Sequence, residues 1–189
     1  MDLKKILSID VGILNLGYVY CVLTQTGIEL LDCGKIDITI MRHCNTLFSD
    51  CKLHHDNCIP DYLEHFFQEY NQMFDNAEVI LVERQPITGI TNVQDLILNK
   101  YRERVVLVSP NKIHKYFGMS RDYLIRKRES QRLSESLLNK SEYYNNLLRK
   151  HDISDAMLMI IMYYNEFIKP KPVIDRNVDF EQFRFIKSK

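Results

Sequence analysis

No apolar run in this sequence reaches the roughly 18–20 residues that a helix needs to cross a bilayer. There is no Pro-rich or Gly/Ser-rich linker, no internal repeat and no low-complexity tract. The N-terminal "MDLKKILSIDVG" lacks the apolar length and small-residue cleavage site of a signal peptide, and it is not an Arg- and Ser-rich transit sequence. No pair of cysteines is spaced as CxxC, and the cysteine count is odd: Cys21, Cys33, Cys44, Cys51 and Cys58. These absences predict a soluble chain in a reducing compartment, with free thiols and no membrane partner. The 189 residues, 46% of them hydrophobic, are enough for one sizeable core, so a single domain over 1–189 is expected, with a polar tail from about 169.

Net charge is also absent, but only in the sum. Residues 1–99 carry 6 Lys and Arg against 14 Asp and Glu, whereas residues 100–150 carry 13 against 5. A basic segment of that size is a candidate footprint for a polyanion. An ordinary solvated helix face is the alternative.

The hydrophobic pattern divides the chain into short elements. Residues 4–12, 16–25 and 28–38 read as strands, and their short links favour antiparallel neighbours, because a parallel crossover needs about a dozen residues. Residues 41–58 read as an irregular polar loop. Helical spacing of Leu63, Phe66, Phe67, Tyr70 and Phe74 predicts a helix over 60–74. "AEVILVERQP" (77–86) and "RVVLVSP" (104–110) read as buried strands, with a helix over 92–103 between them. Helices follow over 110–118, 121–138 and 151–167. The order predicts an α/β fold: a mixed five-stranded sheet, an antiparallel meander then parallel strands, flanked by helices.

Carboxylates stand at informative places. Asp10 and Glu83 end the apolar runs "ILSID" and "VILVE". Ligands bind beyond the C-terminal ends of parallel strands, so these two acids are expected at one edge of the sheet. Asp152 and Asp155 lie three apart on the first turn of an apolar helix, so they are neighbours on its surface. Helix capping accounts for that pair alone, but not for Asp10 and Glu83. Two like charges about 4 Å apart repel by about 4 kcal/mol at an effective dielectric of 20. Four acids with no Lys or Arg among them therefore call for cations or protons. Hard oxygen donors of this kind suit Mg²⁺ or Mn²⁺, and two such ions clamp the oxygens of a phosphoryl transfer.

Three stretches, "LSIDVGILNLGY" (7–18), "ILVERQP" (80–86) and "RKHDISDAML" (149–158), resemble the RuvC-type Holliday junction resolvases of the RNase H-like superfamily, the poxvirus branch above all. The resemblance spans about residues 5–165. It implies an RNase H-like fold and a homodimeric, metal-dependent endonuclease that nicks four-way DNA junctions symmetrically. Carried over position by position, Asp10, Glu83, Asp152 and Asp155 match the family's catalytic, metal-binding acids. They would hold two Mg²⁺ ions, with Mn²⁺ able to substitute. The poxvirus branch implies concatemer processing in the cytoplasm of an infected cell.

Lys112, Lys115, Arg126, Lys127, Arg128 and Arg132 are the candidate DNA backbone contacts, which position a substrate without reading its sequence. Asn15 and Gln85 also match the motif, with turn and loop-anchoring roles as alternatives, and His151 is assigned to the helix cap. Cys44, Cys51, His54, His55 and Cys58 fit no standard zinc spacing. A ribonuclease H, a broader branched-DNA nuclease and a non-catalytic binding module on the same fold remain the competing functions.

Overall fold

The computed structural model describes residues 3–42 and 58–169. The tail from 170 and the loop holding Cys44, Cys51, His54 and His55 lie outside the described residues.

Five strands form one sheet: β1 (Lys4–Asp10), β2 (Leu16–Thr24), β3 (Gly27–Ile36), β4 (Val79–Glu83) and β5 (Val105–Val108), in the order β3-β2-β1-β4-β5. β1 pairs antiparallel with β2, and β2 with β3. β4 runs parallel to β1, and β5 parallel to β4. The expected architecture is the one found, an RNase H-like mixed sheet with helices on its faces.

Alternation along the strands divides the core in two. Ile6, Val19, Cys21, Val79 and Leu81 face one side, and Leu7, Ile9, Tyr18, Ile80 and Val82 face the other. The second side is covered by α1 (Ile59–Glu69), α2 (Asn71–Asn76) and α3 (Thr91–Lys100), where Phe66, Phe67, Phe74 and Tyr101 meet edge-on or stacked. The first side is covered by α5 (Tyr123–Leu138), α6 (Glu142–Asn146) and α7 (His151–Tyr163), with α4 (Pro110–Tyr116) after β5. Among the described residues no helix is long and apolar enough to cross a membrane.

Two elements depart from expectation. The helix predicted over 60–74 breaks at Tyr70, whose φ of −104° and ψ of 23° leave the helical region. The break lets the Tyr70 ring pack on both Phe66 and Tyr18, at 5.2 and 5.5 Å between centroids. α6 was not expected; the Ser141 hydroxyl caps it by accepting from the Tyr144 amide, and the Tyr144 side chain is buried.

α7 is fixed on the sheet at two points. The buried Ser8 hydroxyl of β1 donates to the Ala156 carbonyl at 2.8 Å. Gly17 of β2 lies against the backbone at the start of α7; a Cβ there would sit 2.4 Å from the Asp152 carbonyl oxygen. Gly17 is also the cross-strand partner of Asp10. The missing side chain therefore lets the helix begin directly beside the end of β1.

Candidate active site

Asp10 shares its strand parity with Ile6 and Ser8, and Glu83 with Val79 and Leu81. Both acids therefore point to the side covered by α7. Parallel pairing matches Ile9 with Val82, so the next residues, Asp10 and Glu83, emerge side by side. Their carboxyls are within hydrogen-bond reach of each other. Asp155, one turn into α7, lines the same cavity.

Electrostatics follow from that meeting. Burial, then the Glu83 and Asp155 charges, push the Asp10 carboxyl well above its ordinary value. Burial raises Glu83 as well, against the hydrogen bonds from Asp10 and Gln85. The Gln85 amide donates to Glu83 Oε2 at 2.5 Å, and its own backbone N–H is held by Gln94 Oε1 at 2.7 Å.

The cavity is not free of cationic side chains, as the sequence reading had it. Lys127 of α5 reaches in and pairs with Asp155 Oδ2. One turn further along α5, the buried Ser130 hydroxyl donates to Asp155 Oδ1 at 2.5 Å. Burial works against the Lys127 ammonium, but Asp155, by charge and hydrogen bond, outweighs it and raises its pKa. Lys127, Ser130 and Ser134 follow helical spacing, so one face of α5 meets α7. That polar stripe in a basic helix was the available signal for an inward-facing lysine.

Asp152 is not part of the cavity lining. It is buried, and its carboxylate accepts from Arg149 Nε at 2.7 Å and Arg149 Nη2 at 3.0 Å. It does not cap α7 either: Lys150 holds the cap position, with no side-chain capping bond. His151 is the first helical residue rather than the cap, and burial lowers its pKa, with Asp152 opposing.

The candidate DNA contacts separate. Lys115, Arg128 and Arg132 are exposed. Lys112 is exposed but pairs with Glu166 at 2.7 Å. Arg126 lines the cavity and places its guanidinium 5.7 Å from the Tyr123 ring centroid. Asn15 accepts from Lys35 Nζ at 3.3 Å.

Among the described residues, no group of three or more His, Cys, Asp or Glu side chains is arranged to hold a metal ion. The geometry gives the reason: Asp155 is turned to Lys127 and Ser130. The donor chemistry nonetheless fits a hard divalent cation. Three carboxylates face one cavity in which Lys127 pairs with one of them, and burial first, then the charges of the neighbouring carboxylates, raises the pKa values of Asp10 and Glu83.

No family model matches the chain, and no curated protein matches it in sequence. Solved structures do match. The fowlpox virus Holliday junction resolvase has a TM-score of 0.61 at 15% identity, over 86% of this chain and 99% of its own. The fowlpox virus resolvase in complex with its substrate Holliday junction DNA has a TM-score of 0.61 at 18% identity, over 88% and 100%. T. thermophilus RuvC in complex with a Holliday junction substrate has a TM-score of 0.47 at 12% identity, over 89% and 99%. At these identities the likeness is one of fold: this chain has the fold of the fowlpox virus Holliday junction resolvase.

Proposed function

We propose that this chain is a metal-dependent endonuclease that resolves four-way DNA junctions. The observation carrying the proposal is the meeting of Asp10, Glu83 and Asp155 in one cavity at the rim of a RuvC-like sheet. Asp10, Glu83 and Asp155 would hold Mg²⁺, with Mn²⁺ as a substitute, and Asp152, paired here with Arg149, would be the fourth acid of the set. Bound there, two such ions supply activation of water near neutral pH and neutralisation of the departing 3′ oxygen.

The chain's own residues prepare this chemistry. Ser130 orients Asp155, and Gln85 orients Glu83. Lys127 pairs with Asp155 in the same cavity, where its ammonium would meet the scissile phosphate. Arg126, Arg128, Arg132, Lys112 and Lys115 supply phosphate contacts, which give affinity that falls with salt.

Resolution cuts two opposed strands. One chain carries one such site, so the active species is a homodimer making symmetric nicks. The whole chain acts as one nuclease domain. In the poxvirus setting its substrate is the branched DNA of concatemeric genomes, in the cytoplasm of the infected cell.

The test is incubation of the protein with labelled four-way, three-way, flap and RNA–DNA hybrid substrates in Mg²⁺. Paired nicks on opposed strands of the four-way junction are expected. Cleavage confined to the hybrid would replace this reading with a ribonuclease H, and binding without any cleavage would replace it with a non-catalytic module.

A further inference from the structure

α3 buries a glutamine. Its inward face holds Val93, Gln94 and Ile97, and Gln94 is only 7% exposed. A primary amide taken out of water costs free energy unless its two ends find partners. Both do. Gln94 Oε1 accepts the Gln85 backbone N–H at 2.7 Å, and Gln94 Nε2 donates to Asp95 Oδ1 at 2.8 Å. The first bond crosses between layers. It joins α3, which packs on one face of the sheet, to the segment that leaves β4 directly after Glu83, whose carboxyl lines the cavity on the other face.

The anchors along that segment run in order. The Arg84 N–H still bonds the Val108 carbonyl of β5 at 2.8 Å. Pro86 has no N–H to give, and the Gly89 N–H turns back on the Pro86 carbonyl at 2.7 Å. Between them stands Gln85, whose backbone Gln94 holds and whose side chain donates to Glu83 Oε2 at 2.5 Å. Gln94 therefore fixes the place from which the Gln85 amide reaches Glu83.

We propose that Gln94 is a positioning residue for the metal site: through Gln85 it keeps the Glu83 carboxylate set toward the cavity before a cation binds. The inference rests on the metal-dependent reading above and adds to it a residue from the layer behind the sheet. Gln94 is not in the cavity lining, so it touches neither ion nor substrate. A carboxylate already held by a hydrogen bond has less freedom to lose when it ligates a cation, and removing such an outer partner costs about 10–100-fold in metal affinity. Packing alone does not call for glutamine here, since methionine or leucine fills a similar space in a helix without burying an amide.

Binding of Mn²⁺ alone to the full-length chain, without DNA, is followed by loss of the free-ion electron paramagnetic resonance signal. Gln94→Met removes the acceptor and keeps the length of the side chain, and Gln94→Leu is the second variant. Both are expected to melt in chelator near the unmodified chain and to bind Mn²⁺ about tenfold more weakly. Gln85→Ala should weaken binding to a similar degree. The double variant Gln94→Met, Gln85→Ala should bind no worse than Gln85→Ala, because Gln94 acts through Gln85. In junction cleavage the Mg²⁺ concentration for half-maximal rate should rise by the same factor, and saturating Mg²⁺ should restore most of the rate.

Unchanged Mn²⁺ affinity in both Gln94 variants, where the unmodified chain binds the ion, overturns the proposal and leaves the nuclease reading standing. So does a double variant that loses the product of the two single effects, or a Gln94→Met loss that Gln85→Ala does not share. Loss of the fold in both Gln94 variants makes the residue structural and overturns the proposal as well. If the unmodified chain binds no Mn²⁺ and cuts no junction in Mg²⁺, the metal-dependent reading itself fails, and the role of Gln94 fails with it.

Discussion

Replacing Gly17 by alanine presses a methyl group into the backbone where α7 begins. The added Cβ would lie 2.4 Å from the Asp152 carbonyl oxygen, 2.5 Å from its carbon and 3.0 Å from the Ile153 nitrogen. A carbon and a carbonyl oxygen settle at about 3.3–3.6 Å, so the two chains must part by about 1 Å. The atoms in the way are backbone, and α7 is held at Ala156 by Ser8, so no side-chain rotation relieves the clash. Overpacking of this kind costs about 1–3 kcal/mol. For a chain of this length that lowers Tm by roughly 2–12 °C. Asp155 moves with the start of α7, away from Asp10, and a misplacement of about 1 Å at a reacting centre can cost about 100-fold in rate. Gly27→Ala is the control, because a Cβ there meets nothing within 4 Å. Thermal melts and junction cleavage rates for both variants check the reasoning. If Gly17→Ala melts and cuts like Gly27→Ala, α7 is not seated on β2 in the way described.

Three further outcomes are expected. Asp10 and Glu83 have raised pKa values, so the folded chain holds protons that the unfolded chain has released; this stability is present below the ordinary carboxylate range and is lost as pH rises through the raised values. Thermal melts in chelator should show that fall toward neutral pH, and Asp10→Asn should flatten it; an identical slope in the variant contradicts the coupling. Ser130→Ala removes one hydrogen bond to Asp155 and should cost about 1 kcal/mol in urea unfolding, with no loss if the hydroxyl does not hold the carboxylate. The double replacement of Arg128 and Arg132 by alanine should reduce the slope of log affinity against log salt by about 1–2 for a junction substrate, and an unchanged slope removes both from the DNA surface.

The fold was legible in the sequence because its signals are local. The apolar runs in "KKILSID" and "VILVE" told of buried strands, and short links told that the first strands run antiparallel. The acids that end those runs, Asp10 and Glu83, were expected at one rim because ligands bind beyond the ends of parallel strands, and the parallel register brings them there. What stayed illegible depends on contacts between distant residues. Helical spacing continues through Tyr70, and only its packing against Tyr18 of β2 marks the break. Lys127 reads as one member of a basic triplet with Arg126 and Arg128, but α5 turns it toward an acid 28 positions away. Asp152 reads as the twin of Asp155, but its neighbour Arg149 claims it while Lys127 claims the other. Counting charges along the chain gives the total in each segment but not which acid meets which base.

The most direct test of the acid site compares the unmodified protein with Asp10→Asn and Glu83→Gln on a labelled four-way junction in Mg²⁺. The account predicts nicking by the first, none by the two variants, and junction binding by all three. Cleavage by Asp10→Asn at the full rate would contradict it.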